Sequence, residues 1–61
     1  MADNQGFQIL HNGVPRTFRD RRDASFEAAR YAKCKARDEI IEIVDLSTGA
    51  KLVMLEDGRT G

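Results

Sequence analysis

The chain's only cysteine, Cys34, stands among four basic residues in the stretch RYAKCKAR, residues 30–37. Flanking cations lower a thiol's pKa and raise its thiolate fraction, which is the chemistry of reactive cysteines. A nucleophilic cysteine also needs a base within hydrogen-bond reach. The only histidine, His11, sits beside a predicted hairpin turn. Cys34 itself falls in mid-helix, away from the N-terminal dipole, so the pair reads as an incidental thiol and a solvated or locally bonded imidazole. Together they are two ligands short of the four that close a zinc site. The carboxylates Asp38, Glu39, Glu42, Glu56 and Asp57 lack calcium-loop spacing. No Ser/His/Asp arrangement, phosphate-cradling glycine loop or dinucleotide fingerprint occurs. The expectation is a chain that is not an enzyme and uses no cofactor or metal.

The basic residues offer a second chemistry. Arg30, Lys33 and Arg37 recur at i, i+3 and i+7 on one side of a predicted helix, with Arg22 near its start. Such a stripe tracks phosphates when each cation releases a counterion. Nucleic-acid surfaces usually add stacking aromatics or a recognisable module, and Phe26 is the only aromatic beside this stripe. Nucleic-acid contact through Arg22, Arg30, Lys33 and Arg37 is therefore the alternative reading. The preferred one is a solvated face, or a face paired with the acidic segment of another copy. The charge distribution allows that pairing: residues 16–37 carry a net +5 and residues 38–61 a net −4, within a chain of formal net charge zero.

Sixty-one residues make one domain. A chain this short buries only about 60% of its unfolded surface, so it needs help from disulfides, a metal, oligomerisation or unusually good packing. One cysteine forms no internal disulfide, which leaves packing or self-association. The amino terminus, MADNQGFQIL, has no positive n-region or apolar h-region, and Ala2 stands where N-myristoylation needs glycine. No apolar run approaches the roughly 20 residues that span a bilayer. A free cysteine without an export signal points to the cytoplasm.

Three elements must position these residues. FQILHNGVPRTF predicts a hairpin over 6–19, because Asn12-Gly13 suits a type I′ turn. A two-residue loop pairs His11 with Val14, Ile9 with Arg16 and Phe7 with Phe18, setting Phe7, Ile9, Val14 and Phe18 on one face. Pro15 lacks an N–H and makes the second strand an edge. The next segment predicts a helix over 23–37, capped by Asp20 or Asp23. Its narrow stripe of Ser25, Ala28, Ala29, Ala32 and Ala36, bordered by Phe26 and Tyr31, brings the backbone close to a sheet. EIIEIVDLSTGAKLVML predicts a second hairpin within 39–56, with Asp45 and Gly49 closing the turn and Ile43 near Leu52. Residues 57–61 read as a mobile tail.

The second hairpin is apolar on both faces. Ile41, Ile43, Leu52 and Met54 belong under the helix, because the other face carries mid-strand Glu42 and an unpaired buried carboxylate is costly. That leaves Leu10, Ile40, Val44, Val53 and Leu55 as an interface on the open face. The expected function is a small protein–protein interaction module, homodimeric through this face.

The order hairpin–helix–hairpin resembles the β-grasp layout of ubiquitin-like proteins and protein G domains. The resemblance implies an α+β, two-layer ββαββ fold with one helix on a four-stranded sheet of order 2-1-4-3. In that order the first and last strands lie parallel at the centre. The chain ends GRTG where ubiquitin-like carriers end in Gly-Gly, so no conjugation role comes with the likeness. The chain is also similar to a family of short uncharacterised bacterial proteins. The similarity runs through Phe18, Ala24, Ala28, Ala32, Ile41, Ile43, Asp45, Thr48 and Gly49, and implies no activity.

Overall fold

A computed structural model describes residues 6–61. The features read at the extreme amino terminus, Ala2 among them, lie outside the described residues. The elements run β1 (Phe7–His11), β2 (Val14–Arg19), α1 (Arg22–Lys35), β3 (Ile41–Asp45) and β4 (Lys51–Val53). No helix among the described residues is long and apolar enough to cross a membrane.

The first hairpin turns as predicted and then departs from its predicted register. Asn12 and Gly13 take φ values of 54° and 86°, the left-handed pair that a type I′ turn requires. His11 faces Val14 as expected, but the register shifts between Ile9 and Leu10, so that Ile9 faces Thr17 and Gln8 faces Phe18. Arg16 is the additional residue of a β-bulge. A one-residue slip sends every later side chain to the opposite face. Phe18 therefore leaves the side of Phe7 and Ile9, and Thr17 and Arg19 take its place towards the helix. The Phe18 ring closes over Gly6, where an added Cβ would lie 2.6 Å from two ring carbons.

The sheet order is β2-β1-β3-β4 with every neighbouring pair antiparallel. This corrects the predicted order 2-1-4-3 and its parallel central pair. The physical reason lies in two places. β3 contributes Ile41, Ile43 and Val44 and suits the sheet centre, whereas β4 is three residues long and opens on Lys51. Asn12 also ties the first turn to the start of β3. Its N–H donates to the Ile40 carbonyl at 2.8 Å, and its Oδ1 accepts the Ile40 N–H at 2.9 Å.

The second hairpin keeps its predicted register, with Ile43 opposite Leu52. Asp45 Oδ1 accepts the Ser47 hydroxyl at 2.7 Å and the Ser47 N–H at 3.0 Å. These bonds, the hydroxyl's first, hold the Asp45 carboxyl below the usual aspartate range. Residues 57–61 run back along the outer edge of β4. Val53 and Gly61 exchange N–H···O bonds of 3.1 and 2.9 Å, and the Leu55 N–H donates to the Arg59 carbonyl at 2.7 Å.

Neither Asp20 nor Asp23 is the N-cap of α1. Arg21 holds that position without a side-chain cap bond, and Asp23 sits in the first turn. There its charge still favours the positive end of the helix dipole. The core joins Ile9, Ile41, Ile43 and Met54 of the sheet to Ala29 of the helix, with Phe7, Phe26, Ala28 and Ala32 packed against them. Ser25 is fully buried, and its hydroxyl donates to the Arg22 carbonyl at 2.7 Å. The helix supplies methyl-sized contacts and the sheet supplies the bulk, so the two layers approach closely.

Candidate functional site

The sheet face turned away from α1 carries apolar residues that the core leaves over. Alternation along each strand brings Gln8 and Leu10, Phe18, Glu42 and Val44, and Lys51 and Val53 to this side. The register aligns them in two cross-strand rows, Leu10–Glu42–Val53 and Gln8–Val44–Lys51, with Phe18 beside Gln8. Leu10, Val44 and Val53 thus follow successive diagonals across three strands. Leu10 is 8% exposed, Val44 and Val53 are half-buried, and Phe18 is 50% exposed.

The remaining predicted interface residues lie at or beyond the end of this patch. Ile40, just before β3, is 56% exposed, with its backbone clamped by Asn12. Leu55 lines a cleft with Arg30, Lys33, Cys34 and Arg37, on the helix side of the molecule. The structure therefore gathers Leu10, Val44 and Val53, sets Ile40 nearby and separates Leu55. Phe18 joins the patch through a bulge that no residue type in β2 signals.

Charge interrupts the apolar cluster. In the β3–β4 pair, Glu42 lies opposite Val53 and Val44 opposite Lys51, so acid and base occupy the other diagonal. Diagonal neighbours stand about 7–8 Å apart at the backbone. Among the described residues neither Glu42 nor Lys51 forms an ion pair.

Both sheet edges are partly covered or blunted. Residues 59–61 pair with Val53 at the end of β4 and with Met54 and Leu55 beyond it. The β2 edge carries Pro15, the bulge and the cations Arg16 and Arg19, devices that oppose strand-to-strand pairing. The open face carries no such covering element among the described residues.

The basic helix stripe meets groups of its own chain. Lys33 Nζ donates to the Glu39 carbonyl at 2.6 Å. The Arg22 guanidinium lies 5.4 Å from the centre of the Phe26 ring. Arg30 and Arg37 share their cleft with Glu56 and Asp57, and Asp57 pairs with Arg59 at 2.8 Å. The acidic segment facing the stripe is thus the chain's own tail.

Cys34 is exposed in that same cleft. His11 lines a different groove, with Nδ1 3.5 Å from Glu39 Oε1 and Nε2 buried. Cysteine and histidine do not converge on one cleft. No group of three or more His, Cys, Asp and Glu residues among those described could hold a metal ion.

The groove beside His11 was not legible in the sequence. It measures about 660 Å³ between α1 and β2, with Ala24, Ala28, Ala32 and Ala36 against Thr17 and Arg19. It exists because the bulge turned Phe18 away, leaving two smaller or polar side chains opposite a row of methyl groups. Tyr31 stands at its rim, 66% exposed, with the Lys35 ammonium 5.2 Å from its ring centre. Compared with known proteins, the chain matches no family model, no curated protein and no solved structure.

Proposed function

We propose that this chain is a small, non-enzymatic protein–protein interaction module that forms a homodimer through the open sheet face. The observation that carries the reading is the apolar cluster of Leu10, Val44 and Val53, flanked by half-exposed Phe18, on the side of the sheet that α1 leaves free. Supporting it, the Val53 end of β4 is paired with residue 61 of the tail, and β2 is interrupted by Pro15 and a bulge. A short chain gains stability when a second copy covers such a face, because association removes the unfolded state by mass action. A standard interface buries about 800 Å² per partner, a substantial share of the 4221 Å² that this chain exposes. The exposed free thiol of Cys34 suits a reducing, cytoplasmic setting.

Sedimentation equilibrium at several concentrations tests the proposal. A mass that rises to twice that of the chain in the micromolar range is expected. A monomer well above that range contradicts it. Nucleic-acid contact through Arg22, Arg30, Lys33 and Arg37 loses ground, since Lys33 is engaged with Glu39 and the stripe faces Glu56 and Asp57. A salt titration against mixed-sequence DNA and RNA separates the two readings, with no association expected even at about 50 mM salt.

A further inference from the structure

Resting on the homodimer reading, we propose that each copy recognises the other by crossed charges, with Glu42 of one set against Lys51 of the partner subunit. Four positions form the centre of the β3–β4 pair on the open face. Val44 and Val53 occupy one diagonal, and Glu42 and Lys51 the other. Two identical faces that pack on one another are related by a two-fold axis lying in the plane between them, which makes the interface isologous.

For an axis centred on these four positions, four directions respect the pattern. An axis along the strands sets Lys51 of the partner on Val44 and Glu42 of the partner on Val53. An axis across the strands sets Glu42 of the partner on Val44 and Lys51 of the partner on Val53. Both bury a charge against a methyl surface, which is costly without a compensating partner. An axis through Glu42 and Lys51 stacks each charge on its own kind. Only the axis through Val44 and Val53 places valine on valine and each carboxylate beside an ammonium.

The same choice fixes how the sheets cross. With strands about 4.8 Å apart and a rise of about 3.4 Å per residue, the valine diagonal lies about 35° from the strand direction. Rotation about it makes the strands of the two copies cross at about 70°, near the orthogonal class of sheet packing. Glu42 and Lys51 have no ion-pair partner among the described residues of their own copy, and each is offered one across the axis. The occupant of this face is thus a second copy of the chain, selected by charge as well as by apolar contact.

The test is a charge-swap experiment read by sedimentation and native mass spectrometry. Glu42→Lys and Lys51→Glu should each weaken the homodimer at least about tenfold, because like charges then face one another. An equimolar mixture of the two should recover the dimer as a heterodimer, since both crossed pairs are restored. The double variant E42K/K51E should homodimerise as the wild type does. Glu42→Gln and Lys51→Gln, which remove a charge without adding repulsion, should weaken the dimer several-fold and flatten its salt dependence. A wild-type dimer whose strength none of these changes alters, or a mixture without preferred heterodimer, overturns the crossed-charge arrangement and leaves the homodimer standing. A wild type that stays monomeric overturns the homodimer itself.

Discussion

On the helix side of the sheet, Ile9, Ile41, Ile43 and Met54 are sealed by Ser25 and Ala29. On the other side Val44, Val53 and Phe18 remain partly exposed around Glu42 and Lys51. Both sides draw on branched apolar residues from the same strands. The difference lies in what interrupts them. The covered side carries no charge at its centre and is closed by small residues that let the helix sit down. The open side carries one acid and one base, which an internal core would have to pair and a copy of the same surface can pair across a two-fold axis. The two sides thus share their apolar residues and differ in charge, and in the proposed homodimer it is the charges that select the second copy.

The largest expected effect is on the sealed side. Ile43→Ala should cost about 2–5 kcal/mol of stability in urea unfolding, against a total of roughly 3–9 kcal/mol for a domain of this length. Val44→Ala, one position along but on the open face, should cost less than about 1 kcal/mol when both are measured at concentrations where the chain is monomeric. Equal losses at the two positions would break the distinction between the faces. Ala29→Leu should follow, overpacking the buried contact between helix and sheet at a cost of about 1–3 kcal/mol.

A smaller effect joins the two sides. Gly6 has φ of +131° and lies under the Phe18 ring, so Gly6→Ala should destabilise by roughly 1 kcal/mol or more. Part of that penalty is contact with the ring, and combining the change with Phe18→Ala should return that part. A double-mutant cycle measures the coupling. Additive losses would show that the ring does not seat on Gly6.

The smallest effect is the pH dependence of the second turn. Because its hydrogen bonds to Ser47 depress the Asp45 carboxyl in the folded chain, they stabilise fully above the unfolded value near pH 4. That contribution is lost as the pH falls through the lower folded value. Ser47→Ala should therefore flatten the acid limb of thermal stability while leaving its neutral plateau lower. An unchanged acid limb would place the turn's stability elsewhere.

The second hairpin was legible in its sequence because its turn chemistry and its alternation agree: Asp45 and Gly49 close the loop, and Ile43 meets Leu52. The first hairpin was legible only as far as its turn. Asn12-Gly13 fixes His11 opposite Val14, but the bulge at Arg16 depends on where Phe18 finds cover, over Gly6. Local pattern carries no record of that choice. The strand order was misread for a related reason, since pairing between hairpins is long-range. Its one local trace is Asn12, whose amide serves the turn by conformation and β3 by hydrogen bond. Val44 and Val53 were recognisable from alternation, whereas Phe18 came to the face through the bulge and Leu55 left it as the tail turned back.

The central claim is that the open face, and no edge or helix surface, joins two copies. Sedimentation equilibrium of the wild type beside Val44→Glu tests it most directly. The account predicts a dimeric wild type and a monomeric, still folded variant, because the added carboxylate would stand on the two-fold axis against its own copy. A variant that remains dimeric with an undiminished association constant would contradict it.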